Sequence, residues 1–390
     1  MQAELKHGAR ESREMMLGSD AIAHGVRLCR PAVISAYPIT PQTHIIETLS
    51  EMVDTGELQS QFIKVESEMS AIAACLGAVS AGSRSFTATS SHGLAMMHEI
   101  LHWFSGARMP LVMVNANRAL GAPWNIWCDQ SDSMSQRDVG WLQLYCETAQ
   151  EALDSIILAY WLSEQIMLPV MVMIDGFILS HTMEQLLLPS QREVDAFLPP
   201  YRPAIFLDPE NPKTFCAAAA ADNFYQLKKA IAATMETAET LLAEGYALFA
   251  GRFGRSYGHV EPYCCDDAEV VFCCAGALSG TVRVAVDQLR QEGHRIGLVK
   301  LRLFRPFPGA ALIRLLAGTK RLVVLNRSVS FGAAGTIAQE LRAAFYREDC
   351  RPQIHDVIIS LGGKEVFPAT IREIALRAAE LSPTESIWIG

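Results

Sequence analysis

The feature of this sequence that most constrains its fold is the regular alternation of short β-rich runs with longer stretches of helical periodicity. In the N-terminal half this alternation is typical of a parallel sheet with helices on both faces. The strands predicted there are Ala32–Tyr37, Phe62–Val65, Ser85–Thr89, Leu111–Asn115 and Val170–Asp175. The predicted fold class is therefore α/β, with a doubly wound parallel sheet.

The predicted helices lie between these strands. Thr40–Pro41 has the pattern of a helix cap followed by proline at the first helical position. A second helix is predicted to begin near Ser67 and is rich in small residues. A third helix is predicted from about Leu94 to Ser105, with Gly106 as its stop signal.

The C-terminal half contains a second α/β unit. A proline-containing stretch, 188–206, and an alanine-rich helix from Phe215 to about Ala243 are interpreted as a connector. The strands predicted beyond it are Val270–Cys274, Ile296–Leu301 and Arg321–Asn326, with helices ending near Glu292 and covering Ala334–Tyr346. We therefore predict two domains, residues 1–245 and 246–390.

The charge balance and the apolar runs exclude several classes of protein. The chain of 390 residues has a formal net charge of -9, which repels a phosphate backbone and argues against a nucleic-acid partner. Residues Met1–Asp20 lack the apolar core of a secretory signal. Runs such as Leu168–Ile174 are far shorter than the roughly 20 residues that cross a bilayer. We expect a soluble, cytoplasmic protein with no membrane partner.

The ten cysteines follow no metal-binding pattern. No C-x-x-C occurs, and adjacent pairs such as Cys264–Cys265 and Cys273–Cys274 cannot supply the spaced thiolates of a zinc or iron–sulfur site. We expect free thiols in a reducing compartment and no metal site in this chain.

Polar residues follow all five N-terminal strands at the point where each strand ends. Ligands of open parallel sheets bind beyond the carboxyl ends of the strands, so these residues are the candidates for chemistry. They are Thr40, Glu66, Glu68, Ser90 to His92, Asn117, Arg118 and Asp175.

Each candidate also has a structural alternative. Thr40 has the position of a helix cap, and the two glutamates suit a helix start, where carboxylates are favoured by the helix dipole. Arg118 has Asp129 and Asp132 as alternative ion-pair partners to a substrate anion. His92 is better interpreted as a hydrogen-bonded loop residue than as a metal ligand, because no second His or Cys lies at ligand spacing.

Three common motifs are absent from the sequence. There is no G-x-G-x-x-G after the first strand, no G-x-x-x-x-G-K-[ST], and no G-x-S-x-G. A dinucleotide-binding dehydrogenase, a P-loop nucleotidase and an α/β serine hydrolase therefore lack their fingerprints. Pattern alone indicates an α/β protein with a polar cleft that contains a carboxylate, an arginine and a threonine.

Taken together, the loop motifs resemble the alpha subunit of 2-oxoacid:ferredoxin oxidoreductases. The motifs are Tyr37–Thr43, Val65–Glu68, Phe86–Ser91, Asn117–Ala119 and Asn125–Asp132, and Leu301–Pro308 resembles the second-domain signature of the family. The resemblance covers nearly the whole chain. It implies a thiamine-diphosphate pyrimidine-binding domain followed by a domain like the C-terminal domain of transketolase.

The resemblance also implies roles for individual residues. Glu68 corresponds to the carboxylate that hydrogen-bonds the aminopyrimidine ring of thiamine diphosphate, and Thr40 and Arg118 correspond to the residues that bind the 2-oxoacid. A guanidinium and a hydroxyl are suitable donors for a carboxylate and a polarised carbonyl. Further cofactor contacts are expected from Pro38, Ser91 and His92, with Asp129 and Asp132 supporting the site from behind.

The same resemblance implies partners that this chain cannot replace. A beta subunit is expected to carry the diphosphate and magnesium site and a 4Fe-4S cluster, because the Gly-Asp-Gly motif of such sites is absent here. Gamma and ferredoxin-like delta subunits, or fusions of them, are expected to carry further clusters and to help bind coenzyme A. Ferredoxin is the expected electron acceptor.

Pyruvate is the expected substrate, with acetyl-CoA as the product. The neutral Thr40 disfavours oxalate, since relatives specific for oxalate have arginine at the matching position. Branched-chain 2-oxoisovalerate remains an alternative substrate, and a non-catalytic assembly subunit remains an alternative role.

Overall fold

The computed structural model describes residues 12–349 and 351–390. Cys350 and the first half of the segment Met1–Asp20 lie outside the described residues. The strands are β1 (Ser12–Leu17), β2 (Val33–Ala36), β3 (Gln61–Lys64), β4 (Ser85–Thr89), β5 (Val112–Asn117), β6 (Leu142–Tyr145), β7 (Val170–Asp175), β8 (Met183–Leu188), β9 (Val260–Tyr263), β10 (Val270–Cys274), β11 (Ile296–Leu301), β12 (Leu303–Arg305), β13 (Arg321–Asn326), β14 (Gln353–Ile359) and β15 (Ser386–Ile389). The helices are α1 (Gly18–Cys29), α2 (Thr43–Asp54), α3 (Glu68–Ser80), α4 (Ser91–Met96), α5 (His98–Ala107), α6 (Ser131–Met134), α7 (Ala149–Ile166), α8 (Gln191–Phe197), α9 (Ala221–Phe253), α10 (Leu278–Gln291), α11 (Gly309–Leu316), α12 (Thr336–Phe345) and α13 (Pro368–Leu376).

The N-terminal sheet has seven strands in the order β12-β6-β7-β5-β4-β2-β3. All its pairings are parallel except the edge pairing of β12 with β6. Every residue of β4, β5, β6 and β7 is buried, as expected for a parallel sheet covered on both faces. One face packs against α1, α2 and α7, and the other against α3 and α5.

The C-terminal sheet has six strands in the order β15-β14-β13-β10-β11-β9, and β9 is its antiparallel strand. One face packs against α10 and α13. The opposite face shares a single apolar cluster with α3, α5, α11 and α12. The two sheets therefore enclose a common core, and the loops at the carboxyl ends of their strands meet.

Two features join the halves of the chain. Strand β12, from the C-terminal half, extends the N-terminal sheet by pairing Leu303 with Leu144 of β6. Helix α9 continues without a break from Ala221 to Phe253, across the predicted boundary between residues 245 and 246. That boundary stays a prediction.

A buried charge network connects the start of α7 with the end of β11. The Glu151 carboxylate lies 2.6 Å from Arg302 Nε and 3.0 Å from Lys300 Nζ, and all three side chains are at most 4% exposed. The Arg302 guanidinium also lies against the rings of Tyr246 and Tyr257, 5.0 and 4.4 Å from their centroids. Charges this deeply buried are tolerated because they are paired.

Most of the predicted strands are confirmed. Five have the predicted bounds: Ser85–Thr89, Val170–Asp175, Val270–Cys274, Ile296–Leu301 and Arg321–Asn326. The other three differ from the structure by one or two residues at each end, since they form Val33–Ala36, Gln61–Lys64 and Val112–Asn117. Seven further strands were not predicted, of which β6 and β14 lie in the interior of their sheets; the others are β1, β8, β9, β12 and β15.

The predicted helix cap at Thr40 is wrong. Helix α2 begins at Thr43, and Gln42 is its N-cap residue. The side chain of Gln42 explains why the helix begins later than predicted. Its amide nitrogen donates to the Ala88 carbonyl of β4 at 2.8 Å, and its oxygen accepts from the Ile39 N–H. The turn is therefore closed by a contact with a neighbouring strand.

The helix stop predicted at Gly106 is also wrong. The predicted Leu94–Ser105 helix is two helices, α4 and α5, and α5 runs to Ala107. The left-handed residue that ends it is Arg108, with φ 59°. Its guanidinium donates to the carbonyls of Ile166 and Met167, and these bonds hold the unusual backbone conformation.

Two further observations concern the described part of the chain. Its nine cysteines form no disulfide with one another. No helix within residues 12–349 and 351–390 is long and apolar enough to traverse a lipid bilayer.

Replacing Glu151 by glutamine should lower the free energy of unfolding by about 3 kcal/mol or more, because Arg302 would then be buried without a carboxylate partner, whereas Lys300 keeps Glu147 and Glu261. Urea denaturation of the purified chain measures the change. The matched control is Glu373→Gln, since Glu373 pairs with Arg377 on the surface and such pairs contribute little. Equal midpoints for the two variants would contradict a structural role for the network.

Candidate active site

The loops after the parallel strands of both sheets converge on one region. The loop that follows β5, residues 118–130, lies at the centre of it. Its Gln130 N–H donates to the Arg327 carbonyl after β13 at 2.8 Å, and its Asn125 side chain donates to the Gly362 carbonyl after β14 at 3.0 Å. The loop that carries Arg118 therefore lies against the C-terminal sheet.

Glu68 is the first residue of α3 and is only 6% exposed. The helix begins there because the Ser67 hydroxyl accepts a hydrogen bond from the Ser70 N–H. Within residues 12–349 and 351–390, no group donates a hydrogen bond to the Glu68 carboxylate, and no cation pairs with it. Its oxygen atoms are not among those sealed from solvent without a partner, so a ligand can reach them and supply a donor.

Gly93 allows α4 to approach Glu68 closely. A Cβ atom at this position would lie 2.7 Å from Glu68 Oε1 and 2.5 Å from Thr89 Oγ1. Both distances are far below van der Waals contact. Any larger residue at position 93 would therefore displace the carboxylate.

Arg118 and Thr40 lie together, as predicted. Arg118 Nη1 donates to the Thr40 carbonyl at 2.9 Å, and Nε donates to the Asn125 carbonyl at 3.1 Å. The Trp124 ring covers the guanidinium, with its centroid 5.4 Å from Cζ. Thr40 is exposed and lines an open cavity of about 280 Å³ with His44.

The alternative that Arg118 forms an ion pair with Asp129 or Asp132 is wrong. Its side chain contacts no carboxylate in the described part of the chain, and its bonds are to backbone carbonyls. Burial lowers the pKa of Arg118, and the nearby Asp132 opposes this change. The arrangement leaves a largely buried cation available to an anionic ligand.

Asp132 links the segments that follow β4 and β5. Its Oδ2 atom accepts the N–H groups of Ser91 and Arg118, at 3.0 and 3.1 Å, and the amide of Asn115 at 2.9 Å. Burial raises the pKa of Asp132 to about 7, while the bonds from Asn115, Ser91 and Arg118 oppose the rise. Asp132 therefore fixes the positions of the segments after β4 and β5 relative to each other.

Asp129 connects the same region to the C-terminal sheet. One carboxylate oxygen accepts from the Ser131 N–H at 2.9 Å and from its hydroxyl at 2.5 Å. The other oxygen accepts from the Gly362 N–H at 3.1 Å. Asp129 and Asp132 thus lie behind Arg118, and their supporting role in catalysis stays a prediction.

The three other predicted cofactor contacts lie in the same loops. The Ser91 hydroxyl donates to the Ala119 carbonyl at 2.6 Å, and His92 Nε2 accepts from the Gly121 N–H at 2.9 Å. Pro38 is exposed in the loop between β2 and α2. The bonds of Ser91 and His92 join the start of α4 to the loop after β5, and contact of Pro38, Ser91 and His92 with a cofactor stays a prediction.

Pattern analysis assigned no role to one buried ion pair beneath the site. Asp175, at the end of β7, lies 2.7 Å from Arg327, which follows β13, and both side chains are at most 2% exposed. Asp175 also accepts from the Ala277 N–H at 2.7 Å. Asp175 ends one buried strand and Arg327 directly follows another, which is the signal by which Arg327 could have been found.

A larger open cavity, of about 850 Å³, lies elsewhere. It is formed by α5 and the start of α9, and Trp103, Phe215 and Phe224 line it. None of the predicted site residues borders this cavity.

Comparison with known families assigns the chain. Residues 24–246 match the family model described as pyruvate flavodoxin/ferredoxin oxidoreductase, thiamine diphosphate-binding. Residues 268–371 match the model described as pyruvate:ferredoxin oxidoreductase core domain II. The chain belongs to the pyruvate:ferredoxin oxidoreductase family. The predicted family is therefore confirmed, and the first matched region is its thiamine-diphosphate-binding domain.

Curated relatives from this family match along nearly the whole chain. The pyruvate synthase subunit PorA of Methanothermobacter thermautotrophicus is 42% identical over 380 residues, covering 97% of this chain and 98% of the relative. The ketoisovalerate oxidoreductase subunit VorA of Pyrococcus horikoshii is 44% identical over 365 residues, covering 93% of each.

Solved structures with the same fold confirm the predicted fold class. A 2-oxoglutarate:ferredoxin oxidoreductase from Magnetococcus marinus superposes with a TM-score of 0.74 at 22% identity, over 95% of this chain and 65% of that one. A split-gene transketolase superposes with a TM-score of 0.57 at 13% identity, over 92% and 97% of the two chains. A thiamine-diphosphate-binding domain is thus followed by one like the C-terminal domain of transketolase.

Asp132→Asn should remove a pH dependence of stability. Because the folded chain holds the Asp132 proton more tightly than the unfolded chain, this group contributes less stability as the pH rises from about 4 to about 7. The loss across that window should be about 2 to 4 kcal/mol in the wild type. Urea unfolding at pH 5 and pH 8 tests this. If the free energy of unfolding of the variant changed between pH 5 and pH 8 as much as that of the wild type, the pH dependence would belong to other carboxyl groups.

Proposed function

We propose that this chain is the alpha subunit of a thiamine-diphosphate-dependent pyruvate:ferredoxin oxidoreductase. The complex would oxidatively decarboxylate pyruvate with coenzyme A to acetyl-CoA and pass the electrons to ferredoxin through clusters in partner subunits. The observation that carries the proposal is the Glu68 carboxylate, which is buried in a thiamine-diphosphate-binding domain and receives no hydrogen bond from the described residues.

Glu68 fits the aminopyrimidine ring of the cofactor. Thiamine diphosphate supplies a nucleophilic carbon and an electron sink for decarboxylation. The part of Glu68 is to hold a proton at the ring nitrogen, and its burial strengthens that hydrogen bond because water is largely excluded. Gly93 supports this assignment, since it leaves room for the carboxylate beside α4.

Arg118 and Thr40 fit a small 2-oxoacid. The Arg118 guanidinium carries a charge that no carboxylate in the described residues neutralises, and it lies directly beside Thr40. We assign to Arg118 the substrate carboxylate and to the Thr40 hydroxyl the substrate carbonyl. Trp124, stacked on the guanidinium, restricts its orientation.

The exposed apolar residues around this edge support a partner subunit. Trp124, Trp127, Ile178 and Phe331 all lie in loops that follow strands of the two sheets, and each is at least half exposed. Apolar side chains grouped at a site commonly mark an interface. The proposed partner is a beta subunit that carries the diphosphate, the magnesium ion and a cluster. Gamma and ferredoxin-like delta subunits, and a cytoplasmic location, complete the proposal.

The substrate has one alternative that a specific observation favours. The two relatives described above are named for pyruvate and for ketoisovalerate, at 42% and 44% identity. We place pyruvate first because the match to the pyruvate synthase subunit covers 97% of the chain, against 93% for the other. 2-Oxoisovalerate is the alternative.

Glu68→Gln should abolish turnover while the cofactor stays bound. Glutamine keeps the size of the side chain but cannot exchange a proton with the pyrimidine ring, so kcat should fall by about 100-fold or more. The measurement is pyruvate- and coenzyme A-dependent reduction of a viologen dye by the co-purified complex, with bound thiamine quantified in the same sample.

The same assay decides between the substrates. Wild-type activity in Glu68→Gln would remove the proposed mechanism. A higher kcat/KM with 2-oxoisovalerate than with pyruvate would keep the mechanism and change the substrate. Loss of activity together with loss of bound thiamine would instead show that Glu68 is needed for binding.

Arg118→Lys should raise KM for pyruvate by about 10-fold or more and change kcat less. Lysine keeps the charge but loses the planar fork that binds a carboxylate through two bonds. Steady-state kinetics of the complex measure the change, with Arg377→Lys, on the exposed surface, as the matched control. An unaltered KM for Arg118→Lys would exclude Arg118 as the carboxylate-binding residue.

A further inference from the structure

Two polar groups without partners lie next to Gly93. The hydroxyl of Thr89, the last residue of β4, is fully buried and has no hydrogen-bond partner in the described part of the chain. The Glu68 carboxylate likewise receives no donor there. One group can donate and the other can accept, and both border the same glycine.

Gly93 sets an upper limit on the distance between the two groups. Thr89 Oγ1 and Glu68 Oε1 lie 2.5 and 2.7 Å from the point that a Cβ of Gly93 would occupy. The two oxygen atoms are therefore within about 5 Å of each other, which is close to a hydrogen bond but not required to be one. Threonine has discrete χ1 rotamers, so rotation about χ1 changes the position of the hydroxyl relative to the carboxylate.

The other hydroxyls around Glu68 are already engaged. Ser67 caps α3 by accepting from the Ser70 N–H, and its own proton is donated to the Ser70 hydroxyl at 3.1 Å. Ser90 donates to the Ala116 carbonyl at 2.7 Å, and Ser91 donates to the Ala119 carbonyl at 2.6 Å. Of the hydroxyls at this loop, Thr89 is the one that retains a free proton within reach of Glu68.

We propose that Thr89 is a positioning residue that donates a hydrogen bond to the Glu68 carboxylate in the cofactor-binding state. The proposal rests on the role assigned to Glu68 under the proposed function. The bond would fix the direction in which the carboxylate faces the aminopyrimidine ring. It would also stabilise the ionised form of Glu68, because a donor to a carboxylate favours the charged state.

Strand β4 supplies its own control. Thr87 lies two residues before Thr89, so both side chains project from the same face of the strand. The Thr87 hydroxyl is also fully buried and also unpartnered in the described part of the chain. It does not border Gly93. Thr87→Val and Thr89→Val therefore remove the same atom from similar surroundings, and only the second removes a donor near Glu68.

The experiment compares Thr89→Val, Thr89→Ser and Thr87→Val in the full complex. The first readout is the affinity of the cofactor-depleted complex for thiamine diphosphate, measured by equilibrium dialysis at several pH values. The second is the pH profile of kcat/KM for pyruvate. Thr89→Val should weaken cofactor binding by about 10-fold and move the acid limb of the profile to higher pH. Thr89→Ser should restore both, and Thr87→Val should match the wild type.

Two results would overturn the proposal. One is wild-type affinity and pH profile in Thr89→Val, and the other is an equal loss in Thr87→Val, which would assign the effect to packing. Glu68→Gln in the same series distinguishes a failure of the Thr89 proposal from a failure of the proposed function, in which Glu68 binds the cofactor. If Glu68→Gln is inactive while Thr89→Val behaves as wild type, only the positioning role fails. If Glu68→Gln is fully active, the proposed function fails with it.

Discussion

The buried carboxylate of Asp132 is the interaction on which the geometry of the active-site edge depends. Backbone N–H groups that turn away from a sheet into a water-poor region need an acceptor, because leaving them unpaired is costly. Asp132 is that acceptor for the loops after β4 and β5. Since Arg118 belongs to one of these loops and Ser91 to the other, a single carboxylate sets the spacing between the two walls of the site.

The second constraint is the junction between the two sheets. Asp129 binds the Gly362 N–H, and Asp175 pairs with Arg327, so carboxylates of the N-terminal half meet groups of the C-terminal half at the same edge. Deeper in the molecule, Glu151 neutralises Arg302. Each contact places charge where water is scarce, and each would be unfavourable if the two halves separated. The geometry of the site is thus inseparable from the relative position of the sheets.

The sequence predicts the strands best where they are continuous apolar runs. Strands β7, β10, β11 and β13 were predicted with their observed bounds for that reason. Strand β6 was missed because Gln143 interrupts its apolar run, and the buried amide of Gln143 donates to the Ser133 carbonyl. The motifs also placed Thr40, Glu68 and Arg118 at one edge. Pattern could not show that Gln42 closes the first loop through β4, or that Arg118 binds carbonyls and no carboxylate, because both depend on contacts distant in sequence.

The pairing of β12 with β6 of the N-terminal sheet has a practical consequence for the expression of fragments of this chain. A fragment that ends near residue 246 would retain β6 but lose the strand that pairs with it. An interior strand of four buried residues would then become an open edge, and such edges recruit other chains into aggregates. The boundaries suggested by the family matches, 24–246 and 268–371, are therefore poor points at which to cut this protein.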